Sequence, residues 1–256
     1  MEITDVIRGE EWISSTPKHM FLYESFSWNL PDFSHLPVIL GTDKTKHSKR
    51  HGAKSVLDYK DEGFTKEALL NFMALLGWNP GGDREQMSLD EMINLFDIKD
   101  VNTANPIFDV KKLEWINGIW IRSIKDLKER LLDFYKKDKK VLEILNSEKS
   151  ELIVSASATR MRTLLDFKSL IDTKRDRTKT KEEKETANNL LSYLNENLKN
   201  DWKDDNLLNA IKTFSKENKV SFKTIYFLLS GKESGIGILE LNNIYGKDFL
   251  LENLKS

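Results

Sequence analysis

The stretch LPVILGTDKTKHSKRHGA, residues 36–53, divides the chain into two parts of different character. Residues 35–40 (HLPVIL) form a short apolar run that reads as a buried strand, ended by Gly41. Residues 43–53 then set six basic side chains, Lys44, Lys46, His47, Lys49, Arg50 and His51, beside a single acid. By composition such a loop is a solvated surface. Its placement points further: it follows a strand candidate and a glycine, and it spaces Lys46 and Lys49 three apart with Ser48 between. Lysine ammoniums on a loop can close over phosphate oxygens and stabilise charge that develops during transfer. The Walker pattern G-x-x-x-x-G-K-[ST] is absent, so this is a different kind of phosphate contact.

Upstream, residues 3–7 read as a short strand ending at Arg8-Gly9. Ser15-Thr16-Pro17 reads as a helix start, a hydroxyl cap and then proline at the first helical position. That helix carries Met20, Phe21, Tyr23 and Phe26 toward Trp28, and Pro31 breaks it. Two strands are too few to close a sheet; their edges and apolar faces call for a partner or mark a fragment.

Downstream of Ser55 the pattern is helical. Thr65 caps a helix closed by Gly77, residues 88–91 have capping-box spacing, and Asp109 opens a segment with Leu113, Trp115 and Ile116. Ser123 is expected to open an amphipathic helix with Ile124, Leu127, Leu131 and Phe134. Residues 139–172 predict two or three shorter helices. Residues 174–184, basic and then acidic, predict a loop or an exposed helix start. Helices follow at 186–198, 206–215, 222–229 and 235–254. No internal repeat is present.

The 256 residues carry a net charge of −1, so any nucleic acid would be met by local basic patches rather than by a generally basic body. A 39% apolar content supports a core, and 32% charged residues suit a soluble surface. The lack of cysteine excludes disulfides and zinc–thiolate sites and fits a reducing, cytoplasmic location. Four histidines leave little for a metal site. No apolar run approaches the roughly 20 residues of a membrane span, and MEITDVIRGEEW lacks the basic flank and apolar core of an export signal.

KHSKR, residues 46–50, resembles the Lys-Met-Ser-Lys-Arg signature of class I aminoacyl-tRNA synthetases, with histidine where an apolar residue is usual. The flanks resemble one family within that class, glutamyl-tRNA synthetase. VIRGEEWISSTPKHMFLYESF (6–26) is similar to the strand and helix upstream of the signature, and residues 36–53 to the signature loop. GFTKEALLNFMALLGW (63–78) and FDVKKLEWINGIWIR (108–122) are similar to the helices that follow. The resemblance is dense over residues 3–125 and thins beyond. LLSGKESGIGILEL (228–241) resembles the closing helical segment, but Tyr226 stands where the family usually has an arginine that contacts the anticodon, so that contact is not carried over.

The resemblance implies a mostly α chain. A remnant of the nucleotide-binding α/β fold would occupy residues 1–54, a helical stem-contact region 55–122, and a helical anticodon-binding domain 123–256. It implies a ligase that activates L-glutamate with ATP and Mg2+ and transfers it to tRNA(Glu). Lys46 and Lys49 would hold the phosphates, Lys49 foremost, while Ser48 and Arg50 would shape the loop and its contacts to ATP. Arg8 would face the glutamate, a fitting partner for a carboxylate. Glu11 and Trp12 would line the pocket near ATP. By residue type, Trp12 is equally a core residue, Glu11 equally a helix cap or a partner for Lys18, and Arg8 a surface arginine. Lys111, Lys112, Arg160, Arg162, Lys174, Arg175 and Arg177 become candidate tRNA-phosphate contacts.

The family's other signature, of His-Ile-Gly-His type, does not occur. Catalysis needs both signatures around one ATP. The chain by itself is therefore expected to be a poor or inactive aminoacylating enzyme that needs a separate N-terminal half. A truncated product, a fragment, a split-gene half, a non-catalytic tRNA-binding module and a piece of the glutaminyl relative all remain open.

Overall fold

The computed structural model describes residues 2–47, 54–199 and 201–255. They form fourteen α-helices and one two-stranded parallel sheet, and they divide into two compact units, residues 1–123 and 124–256.

In the first unit, strand β1 (Asp5–Gly9) pairs in parallel with β2 (Asp32–Leu36), Arg8 opposite His35. A 3-10 turn (Glu10–Ser15) and helix α1 (Thr16–Ser25) make the crossover. Pro17 is the second residue of α1 rather than the first, and Ser15 does not cap the helix with its side chain. The Ser15 and Thr16 hydroxyls instead donate to the Trp12 carbonyl, closing the 3-10 turn. Ser27, at φ +54, ends the helix.

The second strand lies earlier than the apolar run suggested. Pro37 has no N–H to give a ladder, so pairing stops at Leu36. The rest of the run turns to other partners: Leu40 bridges to Ile107, with Leu40 N donating to Pro106 O and Phe108 N to Leu40 O. Parallel strands are usually covered on both faces. Here Ile7 is 56% exposed, and Ile13, Phe21, Phe26 and Trp28 are exposed as well.

After the sheet, α2 (Val56–Asp61), α3 (Lys66–Gly77), α4 (Leu89–Leu95) and α5 (Val110–Ser123) form a conventional core. Ser55 and Asp58 make a capping box, as do Ser88 and Glu91, and Thr65 accepts from Ala68 N. Tyr59, Phe64, Ala68, Phe72, Phe108, Leu113 and Ile116 cluster together. Each large side chain so buried contributes about 1.5–3 kcal/mol. Buried Asn117 accepts from Thr65 N and Oγ1, tying α5 to the start of α3.

The second unit holds α6 (Leu127–Phe134), α7 (Lys139–Leu145), α8 (Ser150–Ala158), α9 (Asp166–Ile171), α10 (Lys181–Leu198), α11 (Asp204–Asn218), α12 (Phe222–Ser230), α13 (Ile238–Tyr245) and α14 (Lys247–Lys255). Three expected boundaries move. Ser123 ends α5, its hydroxyl donating to Trp120 O, and α6 begins at Leu127. Helix α10 begins at Lys181, where Thr180 and Glu183 make a capping box. The expected helix over 235–254 is two helices, broken by Gly246 at φ +83, a conformation that favours glycine.

Candidate active site

The site is built where β1 and β2 end. Arg8, near the end of β1, is half-buried. Its Nε donates to His35 Nε2 at 3.1 Å, Nη1 to His19 Nδ1 at 2.9 Å, and Nη2 to Thr16 Oγ1 at 2.7 Å. Its guanidinium carbon lies 5.0 Å from the centre of the Phe33 ring and 5.9 Å from that of Trp12. Trp12 is half exposed and so is not a core residue.

The 3-10 turn after β1 carries Glu11 toward the basic loop. Lys46 Nζ donates to Glu11 Oε1 at 2.7 Å. This contact, first of all, holds the Glu11 carboxyl below the usual carboxylate range. The Glu11 carboxylate passes directly over Gly9, where a Cβ would collide with Oε2. Glycine is used here for close approach, since its backbone is ordinary (φ −69). Glu11 thus pairs with Lys46 rather than with Lys18.

The loop itself is tight from Gly41 to His47. Gly41 N donates to Thr45 O, the Asp43 carboxylate accepts from Thr45 N and Oγ1, and Lys44 has φ +62. Lys46 bridges back to Leu40, and His47 N donates to Ile39 O. The His47 ring stacks on Phe108, with centroids 4.8 Å apart and 13° between planes. Histidine therefore packs as a flat apolar surface where the signature usually has methionine. Ser48, Lys49 and Arg50 lie outside the described residues.

Arg8, Glu11, Trp12 and Lys46 are thus brought together at one end of the sheet. Beside them an open groove of about 410 Å³ runs past Glu10, Ser34, His35, Lys99 and Asn102. Sequence reasoning missed Thr16, His19 and His35. Their signal was present: Thr16 and His19 are three apart and share a helix face, and parallel pairing would set His35 beside Arg8.

Of the candidate tRNA-phosphate contacts, two are bonded to the protein itself. Arg175 Nη2 donates to Asn253 O, near the C-terminus of α14. Arg177 makes paired bonds to Glu183 at 2.8 and 2.7 Å, another to Glu233 at 2.7 Å, and lies 3.9 Å from the centre of the Phe227 ring. Arg177 brings the Glu183 carboxyl down to about 2. Lys112 pairs with Glu85 at 3.3 Å. Lys111, Arg160, Arg162 and Lys174 are exposed. Tyr226, at the position of the family's arginine, donates its hydroxyl to Ile236 O and is committed to the fold.

Residues 1–115 match the family described as tRNA synthetases class I (E and Q), catalytic domain, and residues 124–256 match the anticodon binding domain family. The glutamate–tRNA ligase of Marinomonas sp. (strain MWYL1) is 35% identical over 97% of this chain and 52% of its own length. That of Sulfurihydrogenibium sp. (strain YO3AOP1) is 37% identical over 96% of this chain and 54% of its own length. The crystal structure of a glutamate tRNA ligase from Elizabethkingia meningosepticum, in complex with its amino acid, superposes with a TM-score of 0.74 at 27% identity. It covers all of this chain, which covers 57% of it. The chain spans about half the length of the curated relatives it matches, and it corresponds to their C-terminal part. A class I tRNA synthetase (E and Q) catalytic-domain match over residues 1–115 is thus followed by an anticodon-binding match over residues 124–256, and by the latter, which takes in more than half of it, the chain belongs to the anticodon binding domain family.

Proposed function

We propose that this chain supplies the C-terminal part of a glutamate–tRNA ligase, which activates L-glutamate with ATP and transfers it to tRNA(Glu). The observation that carries this reading is the Lys46–Glu11 contact. It joins the signature loop to the motif after β1, two segments 35 residues apart, at the mouth of a half-open nucleotide-binding fold. In this reading Lys46 and Lys49 bind the ATP phosphates, Ser48 and Arg50 shape the loop around them, and Glu11 and Trp12 line the ATP side of the pocket. Arg8 faces the carboxylate of glutamate. Among the described residues no three His, Asp or Glu side chains are grouped to hold a metal ion. Mg2+ would then enter on the phosphates of ATP, as it commonly does.

Residues 1–54 complete the catalytic fold, residues 55–122 face the tRNA stem, and residues 123–256 read the anticodon. Lys111, Arg160, Arg162 and Lys174 are the cations offered to tRNA phosphates. Among the described residues no helix is long and apolar enough to cross a membrane. The working place of such an enzyme is the cytoplasm, which the cysteine-free composition suits.

The exposed apolar residues Ile7, Ile13, Phe21 and Trp28 support a second element of the reading: activity requires the first half of the nucleotide-binding fold, packed on this face. The test is ATP–pyrophosphate exchange with glutamate and tRNA, on the chain by itself and with a separately made N-terminal half. Exchange only after addition is expected. No exchange in either case, with tRNA still bound, would favour a non-catalytic tRNA-binding module.

A further inference from the structure

We propose that His19 and His35 are positioning residues that aim the Arg8 guanidinium at a substrate carboxylate, and that their protonation releases it. The inference rests on the reading of Arg8 as the glutamate-facing residue.

A single arginine at a strand end is ordinarily free to swing. Arg8 is held at three points: His35 on β2, and Thr16 and His19 on α1, meet three different nitrogens of its side chain. Thr16 Oγ1 and His35 Nε2 are themselves 3.1 Å apart, and the Thr16 hydroxyl is fixed in turn by the Trp12 carbonyl. An arginine has five N–H donors. Three are used here, which leaves one N–H on each terminal nitrogen for a ligand.

The cluster has no acid of its own. The charged and titratable groups on the elements around it are Glu10 and Glu11 on the 3-10 turn, Lys18, Tyr23 and Glu24 on α1, and Asp5 and Asp32 at the opposite ends of the strands. Glu11 is held by Lys46, and among the described residues none of the other acids forms an ion pair with Arg8. A half-buried guanidinium with neutral acceptors on one side fits an incoming carboxylate on the other.

Only a neutral imidazole can accept from Arg8; a protonated one has donors alone. Protonation of these rings would therefore remove two of the three anchors and add positive charge beside Arg8. The Glu11 carboxyl, held low by its contact with Lys46, is less readily protonated than an ordinary carboxylate. Glutamate binding should suffer and ATP binding should not.

Two measurements test this. The first is nitrogen-15 NMR of the full chain. At pH 8, His35 is expected as the Nδ1–H tautomer and the Arg8 Nε–H as a slowly exchanging signal, both lost together toward pH 5.5. An Arg8 Nε–H that exchanges at pH 8 like any exposed arginine would overturn the proposal.

The second is kinetics of the chain complemented with the N-terminal half. The KM for glutamate should rise about tenfold from pH 8 to 5.5, the size of one lost charge-assisted bond, with the KM for ATP steady. His19→Gln and His35→Gln keep an acceptor that cannot be protonated, and should flatten the rise. His35→Leu should raise the KM for glutamate at pH 8 without moving that for ATP. Arg8→Lys separates the two ideas. If it leaves glutamate KM unchanged, the reading of Arg8 itself is wrong. If it raises that KM strongly while the Gln variants keep the original pH profile, only the role of the histidines falls.

Discussion

Two basic segments of this chain look alike on paper and behave differently in the fold. Residues 44–50 and residues 174–181 each pack several lysines and arginines into a short polar stretch. In the first, Lys46 stays exposed, held by an exposed partner, Glu11. In the second, three of the cations are spent on the protein itself, while Lys174 and Lys181 stay exposed. Arg177 is gripped by Glu183 and Glu233, Arg175 donates to Asn253 O, and Lys179 is buried with its ammonium on Leu254 O. The last two sit near the C-terminus of α14, the end where a helix dipole favours positive charge. Lys149 does the same for α13 through Ile244 O. A charge run on its own therefore does not say whether its cations stay exposed or are taken up by the fold.

The sharpest way to break this contrast is Lys49→Ala. We predict that it reduces pyrophosphate exchange in the complemented enzyme by about 10²–10³-fold, as for loss of one charge-stabilising donor, and leaves tRNA affinity intact. An unchanged rate would remove Lys49 from catalysis. The opposite segment should answer to stability instead. Lys179→Met is expected to cost about 1–3 kcal/mol in denaturant unfolding, because it strands a buried carbonyl, without touching exchange kinetics.

The pH dependence has a definite sign. Burial pushes the Lys179 ammonium down to about 8 from its ordinary value of 10.5. Between those values the unfolded chain holds more protons than the folded one, so this group makes stability rise with pH from about 8 to 10.5. The rise should be absent in Lys179→Met, and an identical profile in the variant would assign it to another group.

A smaller effect is expected at the sheet end. Gly9→Ala should push the Glu11 carboxylate off Lys46 and raise the KM for ATP severalfold while sparing that for glutamate. Equal rises in both would mean a general distortion of the turn. Smallest of all is His47→Met. Methionine can cover Phe108 as the imidazole does, and activity should stay within about twofold. A large loss would give the histidine a role beyond packing. Across the whole chain, tRNA binding should weaken steeply with salt, since phosphate contacts release counterions; a flat response would deny the exposed cations any such part.

What could be read in advance followed from locality. Thr65, Ser88 with Glu91, and Pro17 signal helix starts because a cap acts within three residues of itself. Ser15 and Ser123 failed as caps because nearby carbonyls, Trp12 O and Trp120 O, took their hydroxyls. The second strand lies off its expected place because apolarity cannot tell sheet pairing from other burial: Leu40 bonds to the segment before α5 instead.

The sequence by itself determined that the chain is mostly helical, where most of its helices lie, and which family it resembles, since KHSKR and its flanks are contiguous text. Only the tertiary structure decided the partners of its charges. Arg8 meets His35 across 27 positions, Lys46 meets Glu11 across 35, and Lys179 meets Leu254 across 75. Side-chain charges act over a few ångströms in space, and packing, not position along the chain, sets which of them come that close.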